Sequence, residues 1–314
     1  MMMPYKAFSG KKSHVSDKWG DLLPLRKLGN TGESTTMLGL GGNHIGGSMD
    51  DKEAQRTIEA AIQGGIRFFD TAESYQRGEA EHRFGKYLVP KYRDESFIMT
   101  KTRATDAQTA RQHLENSLRR MNLDYIDMWQ VHAVRTTEDI DNRINNGVLD
   151  VFEEALDSGK VRYIGFTGHD DADTFVRLLD QKNIFHAVQM PVNPVDAAAA
   201  NSFINKVMPV LVERNMSILA MKTLANGRFF ERKERAGWTT DNPVVPNHIS
   251  VRDIFNYVWS LPVSVLITGP DNAEMLIEKI DLARDFISIS EQDRQRIVSR
   301  VQSYADSNVE FYKS

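Results

Sequence analysis

The sequence predicts an α/β fold of the (β/α)8 TIM barrel class, and two observations predict it. Eight short runs rich in β-branched and aromatic residues, at 37–40, 66–70, 97–101, 126–132, 163–167, 187–190, 218–221 and 263–267, alternate with segments of helical period. Three successive runs end in the ionisable residues Asp70, Lys101 and His132. In a parallel αβ barrel all strand C-termini open on one face, where polar functional groups gather. Eight such alternations favour a closed barrel over an open doubly wound sheet. With 314 residues and 41% apolar content the chain is long enough for one large core, and it carries no visible repeat or second domain.

The elements follow in order. Residues 1–22 are polar, carry Gly10, Lys11, Lys12 and Ser13 without period, and read as an N-terminal extension ahead of a single barrel domain, 23–314. Residues 23–28 and 35–40 flank Asn30-Thr31-Gly32, a turn signal, and predict a β-hairpin leading into the first barrel strand. Gly64-Gly65 stops the helix that begins near Asp51. Thr105 and Gln108 have capping-box spacing ahead of an apolar face made by Ala107, Ala110, Leu114, Leu118 and Met121. Trp129 precedes His132 by three, so strand alternation turns it to the opposite face and into the core. Ser250 and Asp253 open the helix that runs toward Leu261. An extra C-terminal helix, 291–304, exceeds the eightfold count and packs outside.

Composition excludes several classes. The absence of cysteine removes disulfides, thiolate zinc sites and cysteine nucleophiles. A net charge of −4 and a pI near 6.1 argue against a nucleic-acid or anionic-membrane partner. Mean hydropathy is −0.43, and no apolar stretch approaches the roughly 20 residues that span a bilayer. Residues 1–6 lack a hydrophobic signal core, so the cytoplasm is the expected compartment, although a removed export signal would leave no trace. The expected assembly is a monomer or a small homo-oligomer.

The polar residues at the strand ends suggest a particular chemistry. A phenol, with a reference pKa near 10, donates poorly to a carbonyl oxygen unless the phenolate left behind is stabilised. An ammonium beside Tyr75 would lower its pKa toward working pH, and Lys101 is the candidate. A buried lysine needs a carboxylate to stay cationic, and Asp70 ends the neighbouring strand. His132 would hydrogen-bond the substrate oxygen and set its angle. Singly, such residues are usually solvated loop groups or structural histidines. Their conjunction at consecutive strand ends marks a site.

The stretch Asp70-Thr71-Ala72-Glu73-Ser74-Tyr75, with Thr100-Lys101-Thr102 and Gln130-Val131-His132, resembles the motifs of the aldo-keto reductases. The likeness covers nearly the whole chain, from Arg26-Lys27-Leu28-Gly29-Asn30-Thr31-Gly32 and Gly39-Leu40-Gly41-Gly42 to Gly159-Lys160-Val161-Arg162-Tyr163-Ile164-Gly165, Gln189-Met190-Pro191 and Leu219-Ala220-Met221-Lys222-Thr223-Leu224. The resemblance implies a barrel plugged by its N-terminal hairpin. It also implies Tyr75 as general acid, Lys101 and Asp70 as its tuners, His132 as the orienting group, and a reduced nicotinamide as hydride source. The cofactor contacts it implies are Gly42, Thr167, Gln189, Met221, Thr223, Leu224, Gly227, Arg228, Gly269, Asp271 and Glu278.

Two connections, 133–146 and 225–248, exceed the usual βα loop of about 2–6 residues. The first reads as a substrate wall. The second reads as a clamp over the cofactor pyrophosphate, with Gly227 admitting close backbone approach and Arg228 pairing with phosphate.

The chain departs from the family pattern on the cofactor side. The usual Ser-Asn is Thr167-Gly168, the stacking aromatic is Met221, and the asparagine that commonly follows the adenine-facing glutamate is Lys279, after Glu278. Between Thr268 and Met275 neither basic residue expected for a 2′-phosphate is present, and Asp271 is suited to a free ribose 2′-hydroxyl. The family favours NADP(H) and the local chemistry NAD(H), so both stay open. Ala133 stands where many relatives place tryptophan, implying a wider pocket that Asn43, His44 and Ile45 also border.

Three functional readings follow. The first is an NAD(P)H-dependent reductase of a small carbonyl substrate: an aldehyde, a ketone or an oxidised sugar. The alternative is a cofactor-sensing regulatory subunit, since some relatives of this fold serve membrane channels. The third, a metal-dependent hydrolase using His44, His132, His169, His186 and His248, lacks a His-x-His after the first strand and any compact ligand cluster, so no metal is expected.

Overall fold

The computed structural model describes residues 15–229, 249–306 and 308–313. Eight parallel strands, β1 (Leu38–Gly41), β2 (Phe68–Asp70), β3 (Phe97–Thr102), β4 (Ile126–Val131), β5 (Val161–Thr167), β6 (Ala187–Pro191), β7 (Ser217–Met221) and β8 (Val265–Thr268), form a closed barrel. Each pairs with the next in sequence, and β8 closes on β1 through Leu266 opposite Leu38 and Ile267 opposite Gly39. Every run expected from the sequence lies within two residues of the observed strand.

Strand alternation divides the apolar residues between two cores. Phe68, Phe97, Met99, Met128, Ala187, Leu219 and Val265 fill the barrel interior. Their strand neighbours Phe69, Ile98, Trp129, Val188, Ile218 and Leu266 join the shell between barrel and helices. Trp129 stacks on Phe152 with ring centroids 3.9 Å apart, the core role expected of it.

The hairpin forms as Leu25–Lys27 against Ser34–Thr36, and it drives Leu28 into the interior cluster from below. Gly29 makes this seat possible. Its φ of +52° is left-handed, and a Cβ there would stand 2.6 Å from the Asn215 carbonyl oxygen. Gly29→Ala should therefore cost at least about 1–3 kcal/mol from the backbone conformation alone. A urea midpoint equal to that of the wild type would contradict this account of the plug.

Of the expected extension, residues 1–14 lie outside the described residues. The rest forms a two-stranded ladder, Ser16–Asp17 with Gly20–Asp21, whose Asp17 takes the buried Arg67 guanidinium through both carboxylate oxygens at 2.6 and 2.8 Å.

The outer helices used below are α1 (Asp51–Gln63), α2 (Ala107–Met121), α3 (Thr137–Asn145), α4 (Val148–Asp157), α5 (Ala172–Gln181), α6 (Val251–Trp259), α7 (Ala273–Arg284) and α8 (Glu291–Val301). The α1 stop at Gly64 and the Ser250–Asp253 capping box match expectation. So does α8, extended by a 3-10 turn at Gln302–Tyr304.

Two expectations are corrected. The cap of α2 is Asp106, which accepts the Thr109 N–H at 2.8 Å and the Thr109 hydroxyl at 2.7 Å. A carboxylate at the positive helix end outcompetes the Thr105 hydroxyl one residue earlier. Most of the expected long loop 133–146 is helix α3, capped by Thr136 with Ile140 buried beneath it, so the true connection is only 133–136. The other long connection begins with a 3-10 turn at Ala225–Gly227, and its residues 230–248 lie outside the described residues.

Candidate active site

The period-two rule that buries Phe68, Met99 and Met128 also turns Asp70 and Lys101, two positions further, into the barrel mouth, with His132 beyond Gln130. There Lys101, 1% exposed, makes three contacts. Its ammonium is bonded to the Asp70 carboxylate, donates to the Thr71 carbonyl at 2.7 Å and lies 3.3 Å from the Tyr75 hydroxyl. The Tyr75 ring meets His132 edge-on at 5.7 Å between centroids, and the Ser74 hydroxyl is 3.4 Å from His132 Nδ1. The structure thus brings together all four residues singled out at the strand ends.

Tyr75 is presented by an unusual turn. Gln76, Arg77 and Gly78 are all left-handed, at φ of 47°, 58° and 94°. Glu81, fully buried, braces it. It accepts the Thr100 hydroxyl at 2.6 Å, next to Lys101, and Arg120 Nε at 2.7 Å. The Arg120 side chain fills the space where a Gly78 Cβ would go. One carboxylate therefore ties the strand of Lys101 to the turn of Tyr75.

Electrostatics follow from burial. Burial opposes the charge on Lys101, but Asp70 and Tyr75 outweigh it and hold the ammonium above its ordinary pKa. Burial raises the Asp70 carboxyl, against the pull of Lys101. For Tyr75 the expected lowering is reversed. Burial raises the phenol above its ordinary value although Lys101 pulls it down, because the tyrosine is sunk deeper than one ammonium can offset. His132 is pushed well below the usual imidazole range by burial, then by Lys101 and Arg103, so it is neutral at pH 7.

These groups line a cavity of about 330 Å3. Of the expected cofactor residues, Thr167, Gln189, Met221, Thr223, Leu224, Gly227 and Gly269 line it too. Gly42, Arg228, Asp271 and Glu278 do not. The Gly42 N–H donates to the Asp70 carbonyl at 2.6 Å. Arg228 lies over the Phe311 ring at 5.1 Å, and Glu278 is exposed on the outer face of α7. Asp271 pairs with His44 at 3.1 Å.

Arg103 and Lys222 also line the cavity and carry no role in the sequence reading; so do Asn226, expected there only as part of the pyrophosphate clamp, His169, weighed only as a metal ligand, and Lys279, noted only as a departure from the family pattern. Arg103 was findable, since it lies two positions beyond Lys101. His169 is fixed by the C-terminal segment Asn308–Lys313, its Nδ1 2.5 Å from the Tyr312 carbonyl oxygen. That contact spans 143 residues, and no local pattern announces it. The Lys222 ammonium lies 5.9 Å over the Tyr312 ring, and burial lowers its pKa.

The cavity suits a nicotinamide dinucleotide. Gln189 Oε1 and Thr223 Oγ1 are buried without a protein partner, an acceptor for a carboxamide N–H and a hydroxyl for a phosphate or ribose. Met221 ends β7 with its sulfur 3.8 Å from the Thr167 hydroxyl, an apolar platform for a flat ring. Among the described residues no group of three His, Asp or Glu has metal-binding proximity, and no helix is long and apolar enough to cross a membrane.

Comparison with known proteins gives a consistent picture. The model of the aldo/keto reductase family matches residues 37–269. Aldo-keto reductase YhdN of Bacillus subtilis is 32% identical over 219 residues, 64% of this chain, and the chain spans 62% of that relative's length. L-galactose dehydrogenase of Arabidopsis thaliana is 27% identical over 230 residues, 67% of this chain and 68% of that protein. Among solved structures, the holo form of aldo-keto reductase AKR11C1 from Bacillus halodurans shares the fold. Its TM-score is 0.76 at 19% identity, over 92% of this chain and 99% of that one.

Proposed function

The chain belongs to the aldo/keto reductase family, and from that premise we propose that it is an NAD(P)H-dependent reductase of an aldehyde, ketone or oxidised-sugar carbonyl, with Tyr75 as general acid. The observation that carries this reading is the Tyr75 hydroxyl 3.3 Å from a buried, carboxylate-held ammonium, in one cavity with the neutral His132.

When bound, the reduced nicotinamide supplies the hydride. Gln189 and Thr167 hold its carboxamide, Met221 backs its ring, and Thr223, Leu224 and Gly227 border its phosphates. His132, with Nδ1 toward Ser74, presents Nε2 to the carbonyl oxygen and orients it. Tyr75 gives that oxygen its proton, and Lys101, kept cationic by Asp70, stabilises the phenolate that remains. A phenol held above its ordinary pKa stays loaded at neutral pH, which suits reduction more than alcohol oxidation. The small Ala133 at the cavity wall leaves room for a polyol chain, and a relative named for L-galactose supports the sugar class.

The test is loss of reduced-nicotinamide absorbance on adding a panel of aldehydes, ketones and aldoses, with NADPH and NADH in separate arms. Carbonyl-dependent oxidation in either arm is expected. Saturable cofactor binding with no oxidation across the panel would instead point to a cofactor-sensing subunit.

A further inference from the structure

We propose that the substrate of this site is an oxyanionic carbonyl compound, one that carries a carboxylate or a phosphate, and that Arg103 binds the oxyanion and so decides substrate choice. The inference rests on the reading of the cavity as a carbonyl-reductase site and deepens it, because that reading leaves the charge of the substrate open.

Strand register sets where Arg103 stands. β3 and β4 pair with Thr102 opposite Val131, and the His132 N–H donates to the Thr102 carbonyl at 2.8 Å, so Arg103 follows at the rim beside His132 and Ala133. All three line the cavity. The backbone is fixed there, since the Arg103 N–H donates to the Glu73 carboxylate at 2.8 Å. The guanidinium makes no hydrogen bond or ion pair among the described residues, and Glu73 lies instead 3.6 Å from His113. Its charge nevertheless reaches the reacting groups. Arg103 acts on both the Tyr75 phenol and the His132 imidazole, and Lys101, His169 and Arg143 act on His132 in the same direction. The place where the carbonyl oxygen would sit is therefore bordered by positive groups.

The dinucleotide does not account for this cation. The cavity residues suited to it, Gln189, Met221, Thr223, Leu224 and Gly227, lie on or follow β6 and β7, and β7 stands directly across the closed barrel from β3. Lys222, a second wall cation in no ion pair among the described residues, lies on that far side, where a pyrophosphate would meet it. Asp70 is the one carboxylate among the residues lining the cavity, and Lys101 holds it. Arg103 is left to the substrate. A guanidinium stays charged throughout the working pH range, and its paired N–H donors match two oxygens of a carboxylate or phosphate. The small Ala133 leaves space beside it for such a group.

The experiment is steady-state reduction, by the intact protein, of two matched pairs: 4-oxobutanoate with its methyl ester, and glyceraldehyde 3-phosphate with glyceraldehyde. It is run on the wild type, Arg103→Met, Arg103→Lys and Lys222→Met, each checked for folding by urea denaturation. The wild type should show a kcat/KM at least about tenfold higher for the charged member of one pair, and the pair that shows it tells carboxylate from phosphate. Arg103→Met should bring that pair within about threefold, through KM rather than kcat, and Arg103→Lys should keep part of the preference. Added salt should shrink the preference of the wild type. Lys222→Met, which acts on the cofactor side, should leave the ratio in place. Charged and neutral members used alike, a preference for the neutral ones, or an unmoved ratio in folded Arg103→Met overturns this inference and leaves the proposed function standing. No oxidation of reduced cofactor with these four compounds or with the panel of aldehydes, ketones and aldoses overturns both.

Discussion

Tyr75→Phe should lower kcat at least about a hundredfold, about 2.7 kcal/mol of barrier, while the Kd for reduced cofactor changes by less than about twofold. The substitution removes one oxygen. The ring that meets His132 edge-on and lies 4.9 Å from the Lys101 ammonium remains, so the loss reports proton donation rather than packing. Because the donated proton matters only in the transition state, kcat and kcat/KM should fall together with KM little changed. Steady-state kinetics on the best carbonyl substrate provide the check. Turnover within tenfold of the wild type would remove Tyr75 from the mechanism.

Lys101→Met should cost both activity and stability. Asp70, 3% exposed, loses the cation that satisfies it, and an unpaired buried carboxylate typically costs about 3–5 kcal/mol. The pH dependence has a definite sign. Lys101 lowers the Tyr75 pKa more strongly than Asp70 raises it, so removing the lysine moves the phenol further up. The alkaline limb of the reduction profile should shift to higher pH, and alcohol oxidation, which needs the phenolate, should suffer more than reduction. A profile that stays in place would show that Lys101 does not tune the acid. A wild-type urea midpoint would show that Asp70 does not depend on it.

The strands, their order and the Asp70, Tyr75, Lys101, His132 group were legible because each rests on short-range pattern. Alternation sets which side chains enter the barrel, and parallel connection sets which end they share. What was not legible depends on depth or on distant chain. The direction of the Tyr75 shift is decided by how far the phenol is buried, a tertiary quantity. The role of Asp106 over Thr105 turned on a one-residue choice between adjacent caps. Helix α3 was missed although Thr136, Ile140 and Ile144 carry its cap and its period, because loop length was weighed before periodicity. Lys279 stood in the sequence only as a departure from a familiar pair. Its inward face follows from the phase of α7, which the cap at Asn272 sets. The Tyr312 contact that fixes His169 joins the last described segment to the fifth strand's exit and has no sequence signature at all.

The central claim is that this cavity passes hydride from a nicotinamide to a carbonyl carbon while Tyr75 supplies the proton. The most direct measurement is product analysis by mass spectrometry after turnover with reduced cofactor deuterated at the transferable C4 position. It uses an electron-poor aromatic aldehyde and the aldoses of the panel, with wild type and Tyr75→Phe in parallel. The account predicts one deuterium on the alcohol carbon of each product from the wild type, and at least about a hundredfold less labelled alcohol from Tyr75→Phe in the same time. Unlabelled alcohol, or equal labelling by the two proteins, would contradict it.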